Sequence, residues 1–155
     1  MTESSALIEA VRKNDLPAVL THLRYGADVN TKDQSGFTML MLAACWGRAE
    51  IARFLIDNGA NVNITNNSGD TALINAAYNG QNEIARLLID NGADVNIKNN
   101  SGTTALIKAA SWGHEKTAQL LRETMREQAR QSLVSGRRES LRKQLGSKPK
   151  IRPAP

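Results

Sequence analysis

Asn58-Gly59-Ala60-Asn61-Val62-Asn63 returns as Asn91-Gly92-Ala93-Asp94-Val95-Asn96 and, more loosely, as Tyr25-Gly26-Ala27-Asp28-Val29-Asn30, with a spacing of 33 residues each time. Working outward from these stretches, the same period holds. Gly36-x-Thr38-x-Leu40 recurs as Gly69-x-Thr71-x-Leu73 and Gly102-x-Thr104-x-Leu106, and Ala43-Ala44, Ala76-Ala77 and Ala109-Ala110 follow in step. Agreement in this many columns identifies stacked supersecondary units, none of which buries its apolar face alone.

Each column has a physical reason. Thr38, Thr71 and Thr104 stand where a hydroxyl caps the first turn of a short helix, and the following Leu and Ala pair fall on one face at spacings of three and four. Gly47, Gly80 and Gly113 come next, where the chain needs a left-handed residue; the first repeat has Asn14 there, the next most tolerant type. A second helix carries Ile51, Phe54, Leu55 and Ile56, matched by Ile84, Leu87, Leu88 and Ile89, and closes at Gly59 and Gly92. Val62-Asn63-Ile64 with Asn66-Asn67-Ser68-Gly69, and their counterparts from Val95 to Gly102, are extended pieces followed by polar turns, read as projecting fingers.

Helix, tight turn, helix and finger in 33 residues resemble the unit of the ankyrin-repeat family over roughly residues 4–125. The implied fold is an all-α ankyrin-repeat solenoid of about four helix-turn-helix repeats with β-turn fingers, plus a C-terminal helical extension. Where the family usually reads Thr-Pro-Leu-His, this chain has Thr38-Met39-Leu40-Met41, Thr71-Ala72-Leu73-Ile74 and Thr104-Ala105-Leu106-Ile107. The resemblance assigns that histidine to linking neighbouring turns, so its loss implies weaker coupling between repeats.

End repeats meet water on their outer side and should depart from the pattern. Residues 1–32 read as an N-terminal capping repeat, with Thr21 and His22 in the columns of Phe54 and Leu55. Repeats at 33–65 and 66–98 follow, and 99–125 reads as the C-terminal cap, with Arg122 in place of Ile89 and Met125 in place of Gly92. Residues 126–145 form a basic helical extension, expected to break at Gly136 and resume as a short helix from Arg137 to Leu145. Residues 146–155 are rich in proline and are expected to be disordered.

Composition bounds the function. With 155 residues, 41% of them hydrophobic and only 4% aromatic, the core is built from Leu, Ile, Ala and Val. The lone Cys45 excludes an internal disulfide framework. No stretch is long enough to span a bilayer, and Met1 to Ala10 is unlike a secretory signal, so a cytoplasmic protein is expected. The net charge of +5 hides an asymmetry. Residues 1–121 carry ten Lys and Arg against twelve Asp and Glu, whereas residues 122–155 carry ten against three.

Catalysis finds no support in the residues. The two histidines, His22 and His114, do not form a pair with Cys45 in the repeat frame, and the repeated Glu50, Glu83, Asp57 and Asp90 mark solvated helix faces. No phosphate-binding glycine loop is present. The expectation is a protein that is not an enzyme, takes no cofactor, metal or small-molecule substrate, and binds a protein partner.

The resemblance places a concave binding face on the finger tips and the exposed side of the first helices. Mapped onto this chain, it takes Arg12 and Lys13; Gln34, Ser35, Phe37, Cys45 and Trp46; Asn67, Ser68, Asp70, Tyr78 and Asn79; and Asn100, Ser101, Thr103, Ser111 and Trp112. Four of the six aromatic residues, Phe37, Trp46, Tyr78 and Trp112, fall in these columns, and large rings facing solvent are the usual anchors of interfaces. Packing of one or more of them against a neighbouring repeat is the competing reading. Cys45 reads as inert small-residue filling.

The basic segment supports two other functions. Arg137, Arg138, Arg142, Lys143, Lys148, Lys150 and Arg152 suit an anionic partner, nucleic acid or membrane, although no aromatic residues are interleaved for base stacking. Leu133, Leu141 and Leu145 instead suggest an amphipathic segment for a partner helix or for self-association.

Overall fold

The computed structural model describes residues 3–146. Eight helices follow in order: α1 (Glu3–Arg12), α2 (Leu16–Arg24), α3 (Met39–Trp46), α4 (Ala49–Asp57), α5 (Ala72–Tyr78), α6 (Asn82–Asp90), α7 (Ala105–Ser111) and α8 (Glu115–Gly146). The all-α repeat architecture is the one expected, four helix pairs joined by fingers. The chain divides into two units, one ending at Arg122 and the other beginning at Glu123, so α8 contributes to both.

Local chemistry sets the start and end of the first helices. The hydroxyls of Thr38, Thr71 and Thr104 accept from the backbone N–H three residues on, at 3.2, 3.2 and 3.3 Å. Gly47 takes φ 68° at the end of α3, and among the described residues Asn14 is the non-glycine residue with positive φ, at 59°. In the first repeat the Asp15 carboxylate caps α2 by accepting from the Ala18 N–H at 3.0 Å. The apolar residue in the place of the expected histidine has its own use at Met41, whose sulfur accepts from the Thr38 N–H at 3.5 Å and completes a capping box.

Helices pack in two rows. α1, α3, α5 and α7 stack in sequence, and each of the first three also packs against its own second helix. Because α3 and α5 have a neighbour on both sides, every residue from Met39 to Ala44 and from Ala72 to Ala77 is buried. The second helices bury a narrower stripe: Ile51, Ala52 and Leu55 in α4, and Ile84, Ala85 and Leu88 in α6.

Fingers tie the repeats together. Asn66 and Asn99 each bend their own loop, the Oδ1 of Asn66 accepting from the N–H groups of Ser68 and Asp70 at 2.9 Å and that of Asn99 from Ser101 and Thr103 at 3.1 and 2.9 Å. One finger then bonds the next: the Asn67 N–H donates to the Ser35 carbonyl at 3.1 Å and the Asn100 N–H to the Ser68 carbonyl at 2.9 Å. This approach requires glycine at position 69, where φ is +78° and a Cβ would stand 2.5 Å from Asn100 Oδ1 and 2.8 Å from its backbone nitrogen. Lower in the repeat, Asn30 Oδ1 accepts from the Asn61 N–H and Asn63 Oδ1 from the Asp94 N–H, both at 2.8 Å.

The turns between paired helices are bridged as well. Arg48 donates to the Arg12 carbonyl at 3.0 Å, and His114 Nε2 lies 3.0 Å from the Tyr78 carbonyl, the same relation two repeats later. His114 and Arg48 thus bridge neighbours from the turn position, while the fingers bridge them from the tips.

Two expectations about the C-terminal end are revised or left aside. The last helix does not stop at Gly136: α8 is continuous from Glu115 to Gly146, and Gly136 has no positive φ. A glycine costs a helix about 1 kcal/mol relative to alanine, and it ends one only where the chain must turn. The expected disorder of 146–155 falls, from residue 147 on, outside the described residues.

Candidate functional site

Within the first unit, one face of the first helices, buried toward its middle and open toward its C-terminal end, is built from helical periodicity. In α5, Asn75, Tyr78 and Asn79 are spaced i, i+3, i+4 and share a face; Lys108, Ser111 and Trp112 repeat the arrangement at α7, and Leu42, Cys45 and Trp46 at α3. The charge of Asp70, at one finger base, is felt at the Cys45 thiol of this face.

Two of the four aromatic candidates form a solvent-facing pair. The rings of Tyr78 and Trp112 meet edge to face, with centroids 4.8 Å apart and planes at 67°. They are 40% and 57% exposed, in a molecule whose core is aliphatic. The ammonium of Lys108 stands 5.5 Å from the centre of the Tyr78 ring, within cation–π range. Phe37 and Trp46 are half-buried.

The polar candidates divide by how far the fold already uses them. Asn67 and Asn100 are exposed, yet their side-chain amides donate to the carbonyls of Gln34 at 3.2 Å and Asn67 at 3.0 Å, extending the finger ladder. Asp70 accepts from Asn99 Nδ2 at 2.7 Å. Gln34, Ser35, Asn79 and Ser111 are exposed, and Thr103 is half-buried. Arg12 and Lys13 both reach Glu9, at 2.6 and 3.3 Å, and the Arg12 hydrogen bond is the main cause that holds the Glu9 carboxyl down to about 2.

Cys45 is half-buried, and its thiol is pushed up to about 11, first by burial and then by the neighbouring Asp70 charge. A neutral thiol at ordinary pH is a poor nucleophile. Among the described residues no group of His, Cys, Asp and Glu is arranged to hold a metal ion. No described helix is long and apolar enough to cross a membrane.

One column of this face escaped the reading of the sequence. Glu9, Leu42, Asn75 and Lys108 stand 33 residues apart, one turn before the surface pair that closes each first helix. The signal was present, because this column changes from repeat to repeat while the Ala pair beside it does not.

The second unit, described from Glu123 to Gly146, is helix throughout. Leu133, Val134, Leu141 and Leu145 are exposed along it, together with Arg130, Arg137, Arg138, Arg142 and Lys143. Arg130 lies 3.9 Å from Glu127 and Lys143 3.0 Å from Glu139.

Comparison with known proteins agrees with the architecture. The "Protein phosphatase 1 regulatory subunit 27" proteins of Homo sapiens and Mus musculus are each 42% identical to this chain over 52 residues, 34% of this chain and 34% of theirs. The match therefore spans about a third of the length of these relatives. A family model described as ankyrin repeats (three copies) matches residues 7–99 and 63–131, and with the capped helix pairs, left-handed turns and bonded fingers of the structure it places the chain in the ankyrin-repeat family.

Proposed function

We propose that this protein is a non-catalytic interaction module that binds a protein partner on the concave face formed by its first helices and fingers. The observation that carries the reading is the exposed Tyr78–Trp112 pair. Aromatic side chains left in water on a rigid scaffold offer large contact area at little cost in conformational entropy, which is what interface anchors need. The candidate contact is centred on Tyr78, Asn79, Ser111 and Trp112, extends over Gln34, Ser35, Asn67 and Asn100 at the fingers, and reaches Arg12 and Lys13 at the other end. An adaptor, inhibitor or targeting subunit in the cytoplasm fits this description. The regulatory subunits that share 52 residues with the chain favour a regulatory or targeting role, and protein phosphatase 1 is the first defined partner to assay.

Affinity capture from the source lysate, with the full chain against a Tyr78→Ala/Trp112→Ala variant, tests the reading. Partners retained by the wild type should be absent from the variant. Partners retained equally by both would remove the aromatic pair from the interface.

A second reading concerns the basic helix. Its exposed leucines beside six exposed cations favour an anionic or apolar-basic contact separate from the repeats. Truncation before residue 134 should remove such partners. Steep loss of their binding with added salt would assign it to phosphate or lipid charge, and persistence in salt to apolar contact or self-association.

A further inference from the structure

The column Glu9, Leu42, Asn75 and Lys108 changes character along the solenoid. Leu42 closes it with an apolar, buried side chain. Asn75 is 8% exposed, and its amide nitrogen is covered and has no hydrogen-bond acceptor. Lys108 is half-buried, and its ammonium contacts the Tyr78 ring and no carboxylate among the described residues. A buried donor without an acceptor is unusual in a folded protein and marks a place where an acceptor is missing. Here the orphan donor and an uncommitted cation occupy one column in adjacent repeats, beside the exposed aromatic pair.

We infer that the Asn75–Lys108 step receives the carboxylate of an acidic side chain from the partner, with Tyr78 and Trp112 taking an apolar residue next to it. This rests on the reading of the first-helix face as the protein-binding surface and names the chemistry of what binds there. A carboxylate is a counterion for the ammonium and, once the Asn75 side chain turns out of its covered position toward it, an acceptor for the amide. Asp70, a carboxylate of the chain, acts on Cys45 in this face. It is held by Asn99 at 2.7 Å. Arg12 and Lys13, at the far end of the row, share Glu9. A nucleic-acid backbone is a poorer fit, because phosphate binding draws on several clustered cations and this column supplies one, Lys108.

The test uses immobilised full-length chain and pools of twelve-residue peptides whose central residue is fixed as Asp, Glu, Asn, Gln or Lys and whose flanks are degenerate. The Asp and Glu pools should be retained about tenfold better than their amide counterparts, as a charge-assisted contact requires, with apolar residues selected beside the acid. Lys108→Met should erase the preference for acid. Asn75→Leu, which copies the residue already present at position 42, should weaken it while the protein melts cooperatively. Trp112→Ala should abolish retention of every pool.

Equal retention of acid and amide pools, or an acid preference that survives Lys108→Met, overturns the inference; if Trp112→Ala still abolishes retention, the binding face itself stands. Retention indifferent to Trp112→Ala, or no retention of any pool, overturns both. Retention of a thymidine oligonucleotide that Lys108→Met removes would reassign the cation to phosphate and overturn the carboxylate.

Discussion

The middle repeats and the last repeat are written in nearly the same letters and meet different fates. Position by position, Met41, Ile74 and Ile107 occupy one column, yet they are 1%, 2% and 50% exposed. Leu42 and Asn75 are buried where Lys108 is half-open, and Ala44 and Ala77 are buried where Ala110 is exposed. Nothing in the sequence of α7 forbids burial. What differs is the neighbour: α3 and α5 have a first helix packed on each side, whereas α7 follows the last of them. In a solenoid, burial belongs to the stacking interface and not to the repeat, so one motif serves as core in the middle and as surface at the end.

The largest effect that sharpens this comparison is a paired truncation in that column. Ile74→Ala should cost about 2–5 kcal/mol in chemical denaturation, as large-to-small changes in a packed core do. Ile107→Ala should cost less than about 1 kcal/mol, because its side chain is already half in water. Equal costs would mean that α7 is covered in solution and would break the comparison.

The finger glycines offer the next contrast. Gly69→Ala places a Cβ 2.5 Å from Asn100 Oδ1 at φ +78°, whereas Gly102→Ala has φ +73° and open space. The second change should cost about 1–2 kcal/mol from the left-handed backbone alone. The first should exceed it, and amide exchange at Asn100, whose N–H donates to Ser68, should accelerate only in that variant. Below these comes the helix cap: Thr71→Ala should cost about 1 kcal/mol through loss of the bond to the Ile74 N–H.

Cys45 supplies the smallest and most local reading. With its thiol pushed up to about 11, alkylation at pH 8 should run about a hundredfold slower than for an unperturbed cysteine. Asp70→Asn should quicken it by less than about tenfold, because the charge is the lesser cause and burial the greater. An unchanged rate would separate the finger base from the first-helix face.

Much of this was legible in the letters. The Thr caps, the left-handed Asn14 and the Leu-Ala-Ala face each follow from a local requirement that repeats every 33 residues, and the structure meets each of them. Four features were not legible. Asn67 and Asn100 look like display residues because they are polar and exposed, but an amide bonds a neighbouring finger as readily as a partner, and only the spacing between fingers decides. Lys108 and Asn75 sit inside a helical motif otherwise devoted to packing, so the covered, unpaired amide of Asn75 and the ring contact of Lys108 appear only in three dimensions. Gly136 looks like a stop signal, yet a glycine ends a helix where its backbone turns left-handed, and Gly136 does not, so α8 passes through it. Of the aromatic residues, the sequence marks the columns of Tyr78 and Trp112 but not that their rings meet.

The central claim is that the first helices and fingers of the later repeats form the contact with a partner. Hydrogen exchange of the full chain, alone and saturated with the partner recovered by capture, tests it most directly. Added protection is expected in residues 66–79 and 99–112, with α4 and α6 unchanged. Protection confined to those second helices, or to residues 123–146, would contradict it.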